Sequence, residues 1–298
     1  MITVAFCHWS CPVAGPLTSR CPSAQPWQVA WLRLAVVTAC LGFWSMETTS
    51  AQETPAQEPA VEYPLPDGVH PSHPLVPALQ RVYAAREAVS QLKDYEAVFL
   101  KREVLGGKLL KTTTQLKVRE EPFSVYMKFV EPNKGREVLF VNGRNDGKLL
   151  VHETGFKSLV GTLALDIKSR DVMSENRYPV TMVGLNNLVT TIIKQWEAEA
   201  KYGEVDVLYR PKNRLGEQEC EVIETSHPKK RNQFPFQLTR VWIDTATNWV
   251  IRVEQFDFPA AQGGEPPLAE EYTYVRIKPN VGLTDRDFDK RNPAYEFP

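Results

Sequence analysis

Apolar residues along the chain recur with two periods, one near 3.6 residues and one near two. Leu75, Leu79, Val82, Val89 and Leu92 share one side of a helical wheel, which predicts an amphipathic helix of roughly four to five turns. Pro77 suits its first turn, and Arg81, Arg86 and Lys93 mostly decorate the other sides. A second helical period lies in "GLNNLVTTIIKQWEAEAKYG", where Leu185, Leu188, Val189, Ile192 and Trp196 share a face and Gly203 stops the helix. No capping residue marks its start.

The remaining pattern is that of strands. Five short runs precede the second helix: 95–104, 108–120, 122–131, 136–142 and 148–153. Gly106 and Gly107 turn the first pair, Pro132 and Asn133 close the third run, and Gly143 to Gly147 holds another turn. Five more follow the second helix: 204–210, 218–226, 236–244, 248–256 and 270–278. The glycines and prolines between Pro259 and Pro267 make a loop of that stretch. Turn signals spaced this closely predict an antiparallel meander. The alternation is incomplete: Val138, Leu139, Phe140 and Val141 are apolar on both faces. One face can pack on a helix, and the other must pack on something else or face a cavity.

The first fifty residues follow another logic. "WQVAWLRLAVVTACLGFW" begins at Trp27, with Arg20 as the only charge before it and Arg33 within it. An apolar segment at Leu34 to Trp44, followed by Thr49, Ser50 and Ala51, is the pattern of a secretory signal. Residues 1–51 are therefore expected to be a signal peptide cleaved after Ala51. Two alternatives stay open. "VTAC" ending at Cys40 resembles a lipobox, which would make Cys40 a lipidation site, although the apolar run continues past it; or the segment stays as an uncleaved anchor, with Arg33 costly in mid-span. Residues 52–74 are crowded with proline and predict an extended linker. The folded domain is expected over 75–298.

Charge and cysteine content narrow the function classes. The formal net charge is -1, so no basic excess points to nucleic acid. Four of the five cysteines fall in the first forty residues, which leaves Cys220 without an internal disulfide partner. Cys220 reads as a small buried hydrophobe in a strand; His152 is the histidine that a reactive Cys220 would need to meet. His70 and His73 are spaced for a metal on a helix, but Pro71 and Pro74 forbid that helix, and no metal or other cofactor is expected. "HPKKRNQ" from His227 reads as a solvated turn rather than a headgroup site. Asp285, Asp287 and Asp289 have the spacing that opens a calcium loop, but Lys290 occupies the position that requires glycine. A capping box from Thr284 to Asp287 is the simpler reading.

"REVLFVNGRNDGKLLVHETG" at 136–155, the hairpin "VWIDTATNWVIRVE" from Val241 and the ending "GLTDRDFDKRNPAYEF" together resemble the bacterial domain of unknown function 1571 family. The hairpin is also similar in pattern to the periplasmic lipoprotein carriers LolA and LolB. That likeness implies an incomplete antiparallel barrel, helices plugging one side, and an apolar cavity for acyl chains; it transfers no individual functional residue. The expected fold is α+β, a curved antiparallel sheet or half-barrel with two main helices on its concave side. The expected function is an exported, non-enzymatic cell-envelope protein that binds an apolar ligand, a lipid or lipoprotein acyl chain. Such a protein would be a monomer able to touch a membrane surface. Phe99, Met127, Phe129, Phe140, Trp242 and Trp249 are the candidate cavity lining, with strand register deciding among them. The alternatives are a packed interaction module without a cavity and a hydrolase using carboxylates or Cys220.

Overall fold

A computed structural model of the protein describes residues 61–261 and 263–298. The expected signal peptide, Cys40 and the linker up to residue 60 lie outside the described residues. Residues 61–74 form no helix or strand, yet they are tied to the domain. The Tyr63 amide donates to Gln80 Oε1 at 2.7 Å, Gln80 Nε2 donates back to the Tyr63 carbonyl at 2.7 Å, and Val69 is buried.

The first helix, α1 (Val76–Ser90), leads into β1 (Asp94–Leu105), β2 (Lys108–Arg119), β3 (Ser124–Glu131), β4 (Glu137–Val141), β5 (Lys148–His152) and β6 (Thr162–Asp166). A one-turn helix α2 (Arg170–Met173) and the long α3 (Leu185–Glu199) follow. The chain then forms β7 (Asp206–Leu215), β8 (Gln218–Ser226), β9 (Leu238–Asp244), β10 (Val250–Phe256) and β11 (Leu268–Pro279). All eleven strands join one sheet in the order β6-β5-β4-β3-β2-β1-β11-β10-β9-β8-β7. Every neighbouring pair is antiparallel. The chain thus starts in the middle of the sheet, meanders out to one edge, crosses by α2 and α3 to the other edge, and meanders back to the middle.

Strand β6 and helix α2 were not anticipated. "TLALD" is too short to alternate visibly, and it follows the glycine-flanked segment Gly155–Val160.

Register assigns the faces. Phe99 of β1 sits opposite Thr114 of β2 and Tyr274 of β11, and Ala97 sits opposite Leu116. Tyr95, Ala97 and Phe99 therefore share one face with Leu116, Val118, Met127, Val138, Val151, Val241 and Val253, all in one buried cluster with the apolar sides of α1 and α3. The start of α3 shows why no cap was legible. Gly184 precedes the helix at φ +117, and the first free amides are met by distant side chains. The buried Tyr274 hydroxyl accepts from the Gly184 amide at 2.9 Å and the Tyr95 hydroxyl from the Leu185 amide at 2.8 Å. A Cβ at residue 184 would lie 3.2 Å from the Tyr95 oxygen, so glycine suits both the backbone and the space.

The opposite face of β3–β5 explains the two-sided apolar run. Tyr126, Leu139, Val141 and Leu150 form a second buried cluster with Phe288 and Phe297 of the C-terminal segment. Tyr295 stacks on Tyr126 with ring centroids 3.9 Å apart. Ion pairs fasten the edges: Lys117 to Asp287 at 2.9 Å, Arg119 to Asp285 at 2.8 Å and Lys128 to Glu296 at 2.9 Å. Thr284 and Asp287 form the expected capping box.

Candidate functional site

The helix-facing side of β1–β6 does not close completely on α3. Between them lies a cavity of about 540 Å³, within the ordinary range for small-ligand sites. Its apolar walls include Phe99, Met127, Val138 and Val151 from the sheet, and Leu188 and Ile192 from α3. The stretch from α2 to Val183 contributes further lining, including Val172, Pro179 and Val180.

Toward the β1–β2 turn the wall becomes polar. The alternation that placed Tyr95, Ala97 and Phe99 inward continues with Lys101 and Glu103, opposite Tyr272 and Glu270 of β11. All four line the cavity. Lys101 Nζ lies 3.0 Å from Glu103 Oε2, and the Tyr272 hydroxyl donates to Glu103 Oε1 at 2.6 Å. Residues 175–178 lock onto this cluster from above. Lys101 donates to the Asn176 side chain and to the Glu175 carbonyl, the Arg177 amide donates to Glu103 at 3.1 Å, and the Tyr178 hydroxyl donates to Glu270 at 3.0 Å. Arg177 Nε lies 2.9 Å from Glu270 Oε2. A second clamp joins Arg136 to Glu153 at 2.8 Å and to Glu175 at 2.7 Å.

Burial dominates the electrostatics of this cluster. It pushes the Glu270 carboxyl up to about 7, against the pull of the Arg177 guanidinium and the Tyr178 hydroxyl, while the Glu103 charge adds to the push. Burial, and then the Glu270 and Glu103 charges, raise the Tyr272 hydroxyl as well, so it stays a donor. Lys101, Arg136 and Arg177 are each paired with a carboxylate of the protein. The arrangement is a matched polar lock at the end of an apolar space.

The sequence-predicted lining divides by register. Phe99, Met127 and Phe129 line the cavity. Phe140 faces the same side, but its ring packs on Phe123, 6.4 Å between centroids, within the core. Trp242 is on the other face, because Val241 and Ile243 on either side of it point to the helices. Its indole donates to Glu254 at 2.7 Å under the Arg252 guanidinium. Trp249 packs at the turn before β10, with its indole toward the Ala88 carbonyl of α1 at 3.4 Å. Phe140, Trp242 and Trp249 are therefore corrected to core, outer-face and turn positions.

Cys220 is buried in β8, and burial raises its thiol above the usual range. His152 lies in β5 with its ring beside Phe297, 5.9 Å between centroids, whereas the Cys220 thiol is directed to the Gln218 carbonyl at 3.7 Å, so the two do not meet. His227, expected in a solvated turn, is instead buried against Phe234, 3.3 Å from the buried Glu199 carboxylate. Among the described residues no three His, Cys, Asp or Glu side chains gather as metal ligands.

Sequence reading overlooked Lys101, Glu103, Arg177, Tyr178, Glu270 and Tyr272. The available signal was parity: Lys101 and Glu103 are charges at strand positions that share the inward phase of Tyr95, Ala97 and Phe99.

A family model described as "Protein of unknown function (DUF1571)" matches residues 92–297. The chain belongs to this family. The DUF1571 match takes in the whole sheet, α2, α3 and the C-terminal segment, while α1 precedes it. No curated protein is similar in sequence to this DUF1571 chain. Among solved structures, a DUF1329 family protein from Desulfovibrio piger is 13% identical, covering 73% of this chain and 98% of its own, with a TM-score of 0.37. The Mycobacterium tuberculosis lipoprotein LppX is 15% identical, covering 72% and 99%, with a TM-score of 0.40. A LolA superfamily protein from Nitrosomonas europaea is 13% identical, covering 71% and 97%, with a TM-score of 0.29.

Proposed function

We propose that the protein is an exported cell-envelope protein that holds an apolar chain, such as that of a lipid or an acylated protein, in the cavity between the sheet and α3. The observation that carries this reading is the cavity of about 540 Å³ with Phe99, Met127 and Phe129 on its wall. An apolar space of this size inside a close-packed domain is unfavourable unless something fills it. Each methylene of a bound chain would contribute about 0.8 kcal/mol by leaving water. The signal-like segment before residue 52 supports the envelope location.

We infer that the sheet curves around its helices. Eleven strands laid flat would span about 50 Å, whereas two packed helices cover about 20 Å. Yet Leu149 and Val151 of β5 share one buried cluster with Ile223 of β8 and the helices. The ligand would enter by release of residues 175–178, which are held to Glu103 and Glu270 by hydrogen bonds and an ion pair and to Tyr272 by the Tyr178 ring.

Native mass spectrometry of the protein purified after export, compared with the same sample denatured, tests the reading. Expected is an added mass that is lost on denaturation and identified as lipid. A bare protein mass, with no uptake from added lipid, would favour the packed interaction module instead.

A further inference from the structure

The segment between β5 and β6 turns apolar side chains outward. Gly155–Val160 is a single 3-10 helical segment, and its Phe156, Leu159 and Val160 are 95%, 85% and 68% exposed. Phe156 and Leu159 are the most exposed large apolar side chains among the described residues. The segment rises from the rim of the cavity. Glu153 before it and Leu163 after it both line the cavity, as do Pro132 and Asn133 of the neighbouring β3–β4 turn. That turn packs close by, since a Cβ on Gly135 would lie 3.0 Å from a Thr154 methyl.

Two of its polar groups are bonded within the segment. The Ser158 hydroxyl donates to the Gly155 carbonyl at 2.6 Å, and the Gly161 amide donates to the Ser158 carbonyl at 3.0 Å. Each polar group bonded internally lowers the cost of entering an apolar medium. Its size decides between partners. Three side chains offer a few hundred Å² at most, well below the roughly 1,000 Å² that a specific protein interface requires. Interfacial contact with a bilayer needs only shallow insertion of such side chains.

We propose that Gly155–Val160 is a membrane-docking tip, which sets Phe156, Leu159 and Val160 into the interfacial layer of a bilayer. That the docked tip presents the cavity mouth to lipid rests on the cavity reading above; insertion of the tip does not.

Hydrogen exchange read by mass spectrometry tests this on the full chain, with and without vesicles of phosphatidylethanolamine and phosphatidylglycerol. The readout is local, so an N-terminal anchor does not mimic it. Expected is slowing of the amides of residues 155–161 by about tenfold with vesicles, absent in the Phe156→Asp, Leu159→Asp double variant. Unchanged exchange in β1 and β11 would show that the variant is folded. Equal exchange with and without vesicles overturns the proposal, and so does slowing that persists in the double variant. Weighing the same vesicle-free samples intact for retained lipid separates the two readings: missing lipid counts against the cavity, missing protection against the tip.

Discussion

At the scale of single residues, the cavity wall is governed by Glu270. Its carboxyl titrates near 7 because burial disfavours the charge more strongly than Arg177 and Tyr178 favour it. The folded protein therefore binds the Glu270 proton more tightly than the unfolded chain, where the ordinary value is 4.5. Below that value both states are protonated and the group has no effect. As pH rises from about 4.5 to about 7, the unfolded state loses its proton first, and stability falls by about 3 kcal/mol in total. Above about 7 the loss is complete and constant. Glu270→Gln removes the titration, so its stability should vary less than that of the wild type across this window. Urea unfolding midpoints of both proteins at pH 4.5, 5.5 and 7 check this; parallel curves would assign the slope to other groups. The same residue shows what a sequence conceals. A glutamate inside "AEEYTY" looks like any surface charge until the pairing of Glu103 with Glu270 places it inward.

At the scale of elements, the C-terminal segment is the unexpected structural member. Phe288 is fully enclosed between it and the outer face of β3–β5. Phe288→Ala should cost about 3 to 5 kcal/mol, read as a fall in thermal midpoint, although the residue lies in no long helix or strand. Most of the elements themselves were legible. Both long helices and ten of the eleven strands follow from period and turn residues, because those signals are local. What was not legible depends on contacts between distant parts. Two tyrosines, from β1 and β11, satisfy the first amides of α3 in place of a neighbouring cap. The apolar doublets of β4 become intelligible only once Phe288 and Phe297 are seen to cover one side. The face of Trp242 was open for a related reason: parity is visible in a strand, but which parity faces the helices is a property of the whole sheet.

At the scale of the whole molecule, the interior is a packed core beside an unfilled space. Side chains of α1 and of most strands are close-packed, whereas the region between β1–β6 and α3 is not. Filling that space should separate ligand retention from stability. If the cavity holds lipid as proposed, Met127→Trp, projecting into it, is expected to lower the retained lipid mass while leaving the thermal midpoint of the lipid-free protein equal or higher. Thermal unfolding and intact mass measured on one preparation check both halves. Undiminished lipid in a folded variant would place the ligand elsewhere.

The pairing of β1 with β11 carries a consequence for how the chain is made. Tyr95 meets Pro279 at the centre of the sheet, so the two outward meanders can each form while that seam is still open. Until the ribosome has delivered Leu268–Pro279, β1 is paired with β2 on one side and presents an open edge on the other, a template for any passing strand. A translation product stopped before Leu268 would hence be two half-sheets with sticky inner borders. Synthesis seals the molecule only at its last strand, and incomplete chains are the ones expected to aggregate.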